Sequence, residues 1–191
     1  MTMLHPATVL DPAGSAATHA FKVVVTGPVG VGKTTFISTI SEIETVATEA
    51  AISDGTGTET KTTTTVGIDF GRLAVGGGME LYLFGTPGQQ RFDFMWDITA
   101  EGALGVILLL DCQRPDTYPD ARQVLEHFRA RVSAPTLVAA NKVDDFAAER
   151  PRIVEALGLS EHDFVVPTNA LDRGAVKQTL IELLELVVAF L

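Results

Sequence analysis

The chain has 191 residues, 46% of them hydrophobic and 20% charged, enough for one sizeable core and too few for two comfortable domains. A formal net charge of -10 and a sequence pI near 4.7 argue against a general nucleic-acid or membrane-surface binder, because the long-range field repels phosphate polymers. The only cysteine, Cys112, rules out an intramolecular disulfide and a cysteine metal cluster, which fits a reducing compartment and predicts a cytoplasmic protein.

Residues 1–20 show no basic flank ahead of an apolar run and read as a flexible tail before a single domain over 21–191. FKVVVT at 21–26 is rich in β-branched residues and ends in a glycine-rich turn, the mark of a buried strand, and a helix follows from 34 to about 41. The stretch from about 42 to 65 is rich in Thr, Ser, Gly and Ala with little periodicity, as in a functional or disordered loop. VGIDFGRLAV, a glycine turn at 76–78 and MELYLF predict an antiparallel hairpin. ALGVILLLD at 103–111 is another buried strand, far short of the roughly 20 residues of a membrane span.

Val124, Leu125, Phe128 and Val132 recur at helical spacing. APTLVAA and DFVVPT are two further short strands, and FAAERPRIVEALGL between them reads as a helix. The chain closes on an amphipathic helix, AVKQTLIELLELVVAFL, whose acidic polar face suits a docked core helix and predicts no membrane insertion. Strands alternating with helices give an α/β fold with an about six-stranded, mostly parallel sheet, one antiparallel hairpin strand and helices on both faces. Ligands in such sheets lie at the carboxyl ends of the strands, so the loops there carry the chemistry.

The first of these loops is GPVGVGKTT at 27–35, which fits G-x-x-x-x-G-K-[ST] between a strand and a helix. Gly27, Gly30 and Gly32 let the backbone curl so that N–H groups of Val29, Val31 and their neighbours face phosphate oxygens. Lys33 can then reach the β- and γ-phosphates, and the hydroxyl of Thr34, ahead of Thr35, can hold Mg²⁺. The second is NKVD after the strand PTLVAA. An ionised Asp144 accepts hydrogen bonds only, so it can take both the N1–H and the exocyclic amine of guanine, a donor pair that adenine lacks on that edge.

GPVGVGKT, TTVGIDF, GTPGQQRF, NKVD and TNAL occur in the order found in small Ras-like GTPases, and over about nine-tenths of its length the chain resembles that family. The resemblance implies a P-loop NTPase fold, the Ras-like G domain, and a switch that binds GTP with Mg²⁺ and slowly hydrolyses it to GDP. It further implies Thr34 and Thr65 as Mg²⁺ ligands, Gln89 as the residue orienting the attacking water, and Gly88 as a γ-phosphate contact. Asn141, Lys142 and Asp144 would hold the base, with Asn169, Ala170 and Leu171 closing over it. The Thr-Pro-Gly-Gln loop is more similar to bacterial MglA-like GTPases, including those of actinobacterial conservon clusters, than to eukaryotic Ras or Rab. That branch implies a roadblock-fold regulatory partner beside an unknown effector. Two rivals are a constitutive guanine-nucleotide-binding scaffold with negligible hydrolysis and an ATPase on the same fold.

The chain departs from the family pattern at Gly85, where a magnesium-related aspartate is expected at the end of MELYLFG. If that carboxylate acts only through water, Thr86 can bridge to one of those waters, nucleotide affinity depends weakly on Mg²⁺, and Gly85→Asp strengthens the dependence. Val29 replaces a frequent glycine and either crowds the water-positioning region, slowing turnover, or packs harmlessly. Lys61, Arg72 and Arg91 read as solvent-facing charges rather than catalytic cations. Trp96 and Phe92 read either as a partner-facing patch or as packing, and Cys112 as a small inert hydrophobe.

Overall fold

Strands that are apolar on both faces need cover on both sides, and the arrangement of this chain supplies it. The computed structural model describes residues 7–9, 18–52, 64–89 and 93–190. In chain order these form β1 (Ala7–Val9), β2 (Thr18–Thr26), α1 (Lys33–Ile40), β3 (Val46–Ile52), β4 (Thr64–Gly76), β5 (Met79–Gly85), α2 (Asp93–Ala100), β6 (Ala103–Asp111), α3 (Tyr118–Arg131), β7 (Thr136–Asn141), α4 (Phe146–Leu157), β8 (Phe164–Thr168) and α5 (Arg173–Phe190).

Strands β5, β2, β6, β7 and β8 are mutually parallel in that spatial order, and β4 joins β5 as the antiparallel hairpin strand. These are the six strands the sequence predicts. Two more are added. β3 pairs antiparallel with β4 through Val46↔Phe70 to Ile52↔Thr64, inside a stretch expected to lack regular structure. The reason lies in β4, whose residues before Asp69 run past the end of β5 and need another source of backbone hydrogen bonds. β1 pairs with residues 18–20, so the first domain strand begins at Thr18, within the segment expected as a tail. Helix α2 falls where the sequence offered no element; it is only eight residues long, too short to show a convincing period.

Side-chain alternation divides the core in two. Val23, Val25, Ile107, Leu109, Leu137 and Ala139 point to one face, where Phe36 and Ile37 of α1 and Val176, Leu180 and Leu183 of α5 cover them. Val24, Val106, Leu108, Leu110, Val138 and Ala140 point to the other, under Trp96 of α2, Phe128 of α3 and Ile153 of α4. Trp96 is therefore packing: it is 4% exposed and its indole Nε1 donates to the Pro87 carbonyl at 3.0 Å. Phe92 lies outside the described residues. The carboxyl end of β2 sits between β5 and β6, where the chain leaves the sheet in both directions, and the loop after β2 opens there. Among the described residues no helix is long and apolar enough to cross a membrane.

Phe128 is 1% exposed and lies between α2 and the sheet. Phe128→Ala is expected to lower unfolding free energy by about 3–5 kcal/mol in urea titrations.

Candidate nucleotide-binding site

The loop from β2 into α1 is shaped by glycine. Gly27 has φ 137°, and a Cβ there would lie 2.4 Å from the Leu109 carbonyl oxygen, so no side chain fits. Gly32, at φ 104°, starts α1 with no side chain capping its first turn and no acidic residue in it. The free amides of that turn, with the helix dipole behind them, suit an anion. Val31 is buried beneath the loop, whereas Val29 at its mouth is half exposed. Thr35, partly buried, follows Thr34 in the first turn and its carbonyl accepts from Ser38 Oγ.

Lys33 folds back over this loop, its Nζ donating to the carbonyls of Gly27 at 2.8 Å and Pro28 at 2.7 Å. Burial pulls its pKa down to about 8, opposed by the Asp69 carboxylate, so an anion beside it favours the charged form. Gly88 lies against the same lysine: a Cβ on it would be 2.8 Å from Lys33 Nζ and 2.8 Å from the Val29 nitrogen. Gln89 follows as an exposed residue. The loop after β5 thus meets the phosphate loop at Gly88.

Thr86 is turned inward; its hydroxyl is 2.8 Å from that of Thr26 and only 2% of the residue is exposed. Beside Gly85, the neighbouring strand carries a carboxylate. Asp69 pairs in register with Gly85, and its Oδ2 accepts from Thr34 Oγ1 at 2.6 Å. A Cβ on Gly85 would stand 3.0 Å from both Cβ and Oδ2 of Asp69 and 2.9 Å from Ile37 Cδ1. Ile37 and Asp69 together occupy the space that a side chain at Gly85 would need. Thr65 lies four residues before Asp69, on the part of β4 opposite β3 and next to Ala51 in register.

On the base side, Asn141 is 2% exposed and joins two loops: its Nδ2 donates to the Val31 carbonyl at 2.9 Å and its Oδ1 accepts from Ala170 N at 3.0 Å. Lys142 adopts φ 57°, the only positive φ of a non-glycine among the described residues, and its Nζ meets Asp111 Oδ2 at 2.6 Å. Asp145 caps α4 by accepting from Ala148 N at 3.1 Å, which leaves the preceding Asp144 as the exposed carboxylate of the motif. Asn169 Oδ1 accepts from Leu171 N at 3.1 Å, and Ala170 is buried with its carbonyl bonded by Thr39 Oγ1 at 2.7 Å. Leu171 is 81% exposed beside it. Sequence reasoning missed two acidic members, Asp69 and the 1% exposed Asp111.

A family model described as "Conserved hypothetical ATP binding protein" matches residues 25–190. The chain belongs to that family. It is also 26% identical over 165 residues to the Ras-related protein RABA5b of Arabidopsis thaliana, covering 83% of this chain and 70% of that protein. Similarity to Ras-related protein Rab-13 of Canis lupus familiaris is 28% over 150 residues, 75% of this chain and 68% of that one. An uncharacterized protein of Methanocaldococcus jannaschii, MJ1339, is 32% identical over 99 residues, 52% of this chain and 56% of its own. The protein is a distant homologue of Ras-related small GTPases, with a P-loop NTPase fold. Membership of the ATP-binding family and this homology both point to nucleotide binding.

Asn141→Ala leaves the Val31 carbonyl and the Ala170 amide without their partner at about 1–3 kcal/mol each. Thermal unfolding without nucleotide is expected to shift downward, and nucleotide affinity to fall at least 10-fold by fluorescence titration, since 1.4 kcal/mol is tenfold.

Proposed function

We propose that this protein is a GTP-binding switch that slowly hydrolyses GTP to GDP and phosphate. The observation that carries this reading is the Asn141 amide, which ties the phosphate loop to the Ala170 loop three residues before the exposed Asp144. A carboxylate there favours guanine over adenine through two accepted hydrogen bonds. Lys33 supplies positive charge to the phosphates, Gln89 orients water, and Gly88, packed on Lys33 and the phosphate loop, senses the γ-phosphate.

The residues at the end of the loop suit Mg²⁺. Thr34 and Asp69 offer a hydroxyl and a carboxylate oxygen 2.6 Å apart, the hard donors that ion takes together with phosphate oxygens and water. Among the described residues no group of three or more His, Cys, Asp or Glu could hold a metal by itself, which fits an ion that depends on the nucleotide for its remaining ligands. When bound, Mg²⁺ neutralises charge on the β- and γ-phosphates. Thr65 joins these ligands if the start of β4 moves toward the phosphates.

A switch needs readers, and the Thr-Pro-Gly-Gln loop supports placement in the MglA-like branch, with a roadblock-fold regulator and a separate effector as partners. The family description favours a second reading, an ATPase on the same site. Excess unlabelled GTP, but not ATP, is expected to displace labelled GDP; displacement by ATP at equal concentration overturns the guanine assignment. Gln89→Ala should bind GDP as the wild type does while single-turnover hydrolysis drops at least 10-fold, and an unchanged rate removes Gln89 from the reaction.

The Asp69 assignment reverses the expectation for Gly85→Asp. A second acid whose Cβ would stand 3.0 Å from Asp69 Oδ2 crowds and repels the first, so this variant should weaken the Mg²⁺ dependence of GDP dissociation, measured with and without chelator. Asp69→Asn should weaken it too, and Asp69→Gly combined with Gly85→Asp should regain part of it. Unaltered dependence in Asp69→Asn would exclude Asp69 from the metal's surroundings.

A further inference from the structure

The turn after β6 brings a cation to the phosphate loop. Arg114 Nη1 lies 3.4 Å from the Val29 carbonyl oxygen, and the same nitrogen is 3.2 Å from where a Cβ on Gly30 would stand. Among the described residues no other arginine hydrogen-bonds that loop. Arg72 is engaged elsewhere, 3.5 Å from Glu80 on the hairpin, and Lys61 and Arg91 lie outside the described residues.

The base of Arg114 is fixed and its tip is not. Its amide donates to the Asp111 carbonyl at 3.0 Å, and its carbonyl accepts from Thr117 N at 3.0 Å and Thr117 Oγ1 at 2.7 Å. Gln113 N donates to Asp111 Oδ1 at 3.0 Å, so the turn hangs on a carboxylate that is itself buried and paired with Lys142. The guanidinium, in contrast, is 49% exposed and its acidic neighbour, Asp116 Oδ2, is 3.8 Å away. Charge-assisted bonds close to about 2.7–2.9 Å, so both of its contacts are long and a phosphate oxygen outcompetes them. Val29 and Gly30 belong to the segment that wraps the β- and γ-phosphates in such loops, and the guanidinium, held at the outer, carbonyl side of that segment, can swing over its edge toward those oxygens.

We propose that Arg114 provides in cis the guanidinium that stabilises charge on the transferring γ-phosphoryl group. This rests on the GTPase reading above. The reaction itself is hydrolysis: water oxygen bonds to the γ-phosphorus, the bond from that phosphorus to the β–γ bridging oxygen breaks, and GDP and inorganic phosphate leave with the water's protons. Arg114 gives and takes no proton; it offsets charge on the bridging and γ-oxygens. The proposal also accounts for Val29. A side chain at that position narrows the entrance for a partner's arginine, and a cation already seated on the loop makes that entrance unnecessary.

The test compares wild type, Arg114→Ala and Arg114→Lys for GDP affinity, single-turnover GTP hydrolysis and capture of aluminium fluoride with GDP, a mimic of the planar phosphoryl group, all without a partner protein. Wild type is expected to capture aluminium fluoride. Both variants should keep GDP affinity within about twofold but lose capture and hydrolyse GTP about 100-fold more slowly, since the planar fork is not replaced by an ammonium. Arg114→Ala with wild-type capture and rate overturns the proposal. So does a parallel loss of GDP affinity and hydrolysis, which marks Arg114 as a support for the loop. Wild type that binds GDP but neither captures aluminium fluoride nor hydrolyses GTP overturns the role of Arg114 while leaving nucleotide binding intact, and wild type that binds no guanine nucleotide overturns both readings.

Discussion

A single buried amide sets the geometry of the nucleotide site. Asn141 leaves the end of β7, and its two hydrogen bonds fasten a carbonyl of the phosphate loop, 110 residues earlier, to an amide of the loop after β8, 29 residues later. Neither partner has regular secondary structure to hold it. Each would otherwise be a buried polar group at a penalty of about 1–3 kcal/mol, so the amide acts as a register pin for three loops from three strands. In the proposed reading a nucleotide fills the space between those loops, with phosphates against the amides of the first, base against the carboxylate of the second and the backbone of the third.

The other half of the site depends on a strand pair rather than a loop. β4 and β5 run antiparallel, so a residue on either strand can present a side chain to the first turn of α1 from the same place. Here the acid sits on β4 and the space on β5. Asp69 and Gly85 are one interaction distributed over two positions, which is why the glycine is compatible with an oxygen-donor site beside Thr34. The same packing fixes α1 close to the hairpin through Ile37, coupling the position of the carboxylate to that of the helix that receives the phosphates.

The parts legible in the sequence were those with a local cause. Val23 to Val25 and Leu108 to Leu110 announce buried strands by composition, and G-x-x-x-x-G-K-T announces a phosphate loop because glycine is required wherever Cβ would strike backbone, as Gly27 does against Leu109. β3 was not legible, since its Thr and Ala residues carry no clear period and its pairing is dictated by the overhang of β4. Asp69 was hidden for a subtler reason. Counting back from the glycine turn places Phe70 opposite Gly85; a bulge between Ala74 and Gly76 moves the register by one residue and brings Asp69 there instead. Arg114 had no signal at all, because its distance from the phosphate loop is 85 residues in sequence and 3.4 Å in space.

Placed together, these contacts form one continuous path around the site. Lys142 of the base-reading motif pairs with Asp111, whose other oxygen and carbonyl hold the turn that carries Arg114, whose guanidinium rests on Val29 of the phosphate loop. The Asn141 amide, one residue away from Lys142, reaches the same loop from beneath at Val31. In the proposed reading, base recognition and phosphate contact are therefore built on adjacent residues of one strand end, and a displacement of the NKVD loop moves both the carboxylate assigned to the base and the cation assigned to the phosphates. In a chain with a net charge of -10, long-range attraction cannot draw an anionic nucleotide in. Affinity has to come from short contacts that all form at once, and a ring of loops pinned to each other is the arrangement in which a correctly seated base and correctly seated phosphates stabilise the same backbone.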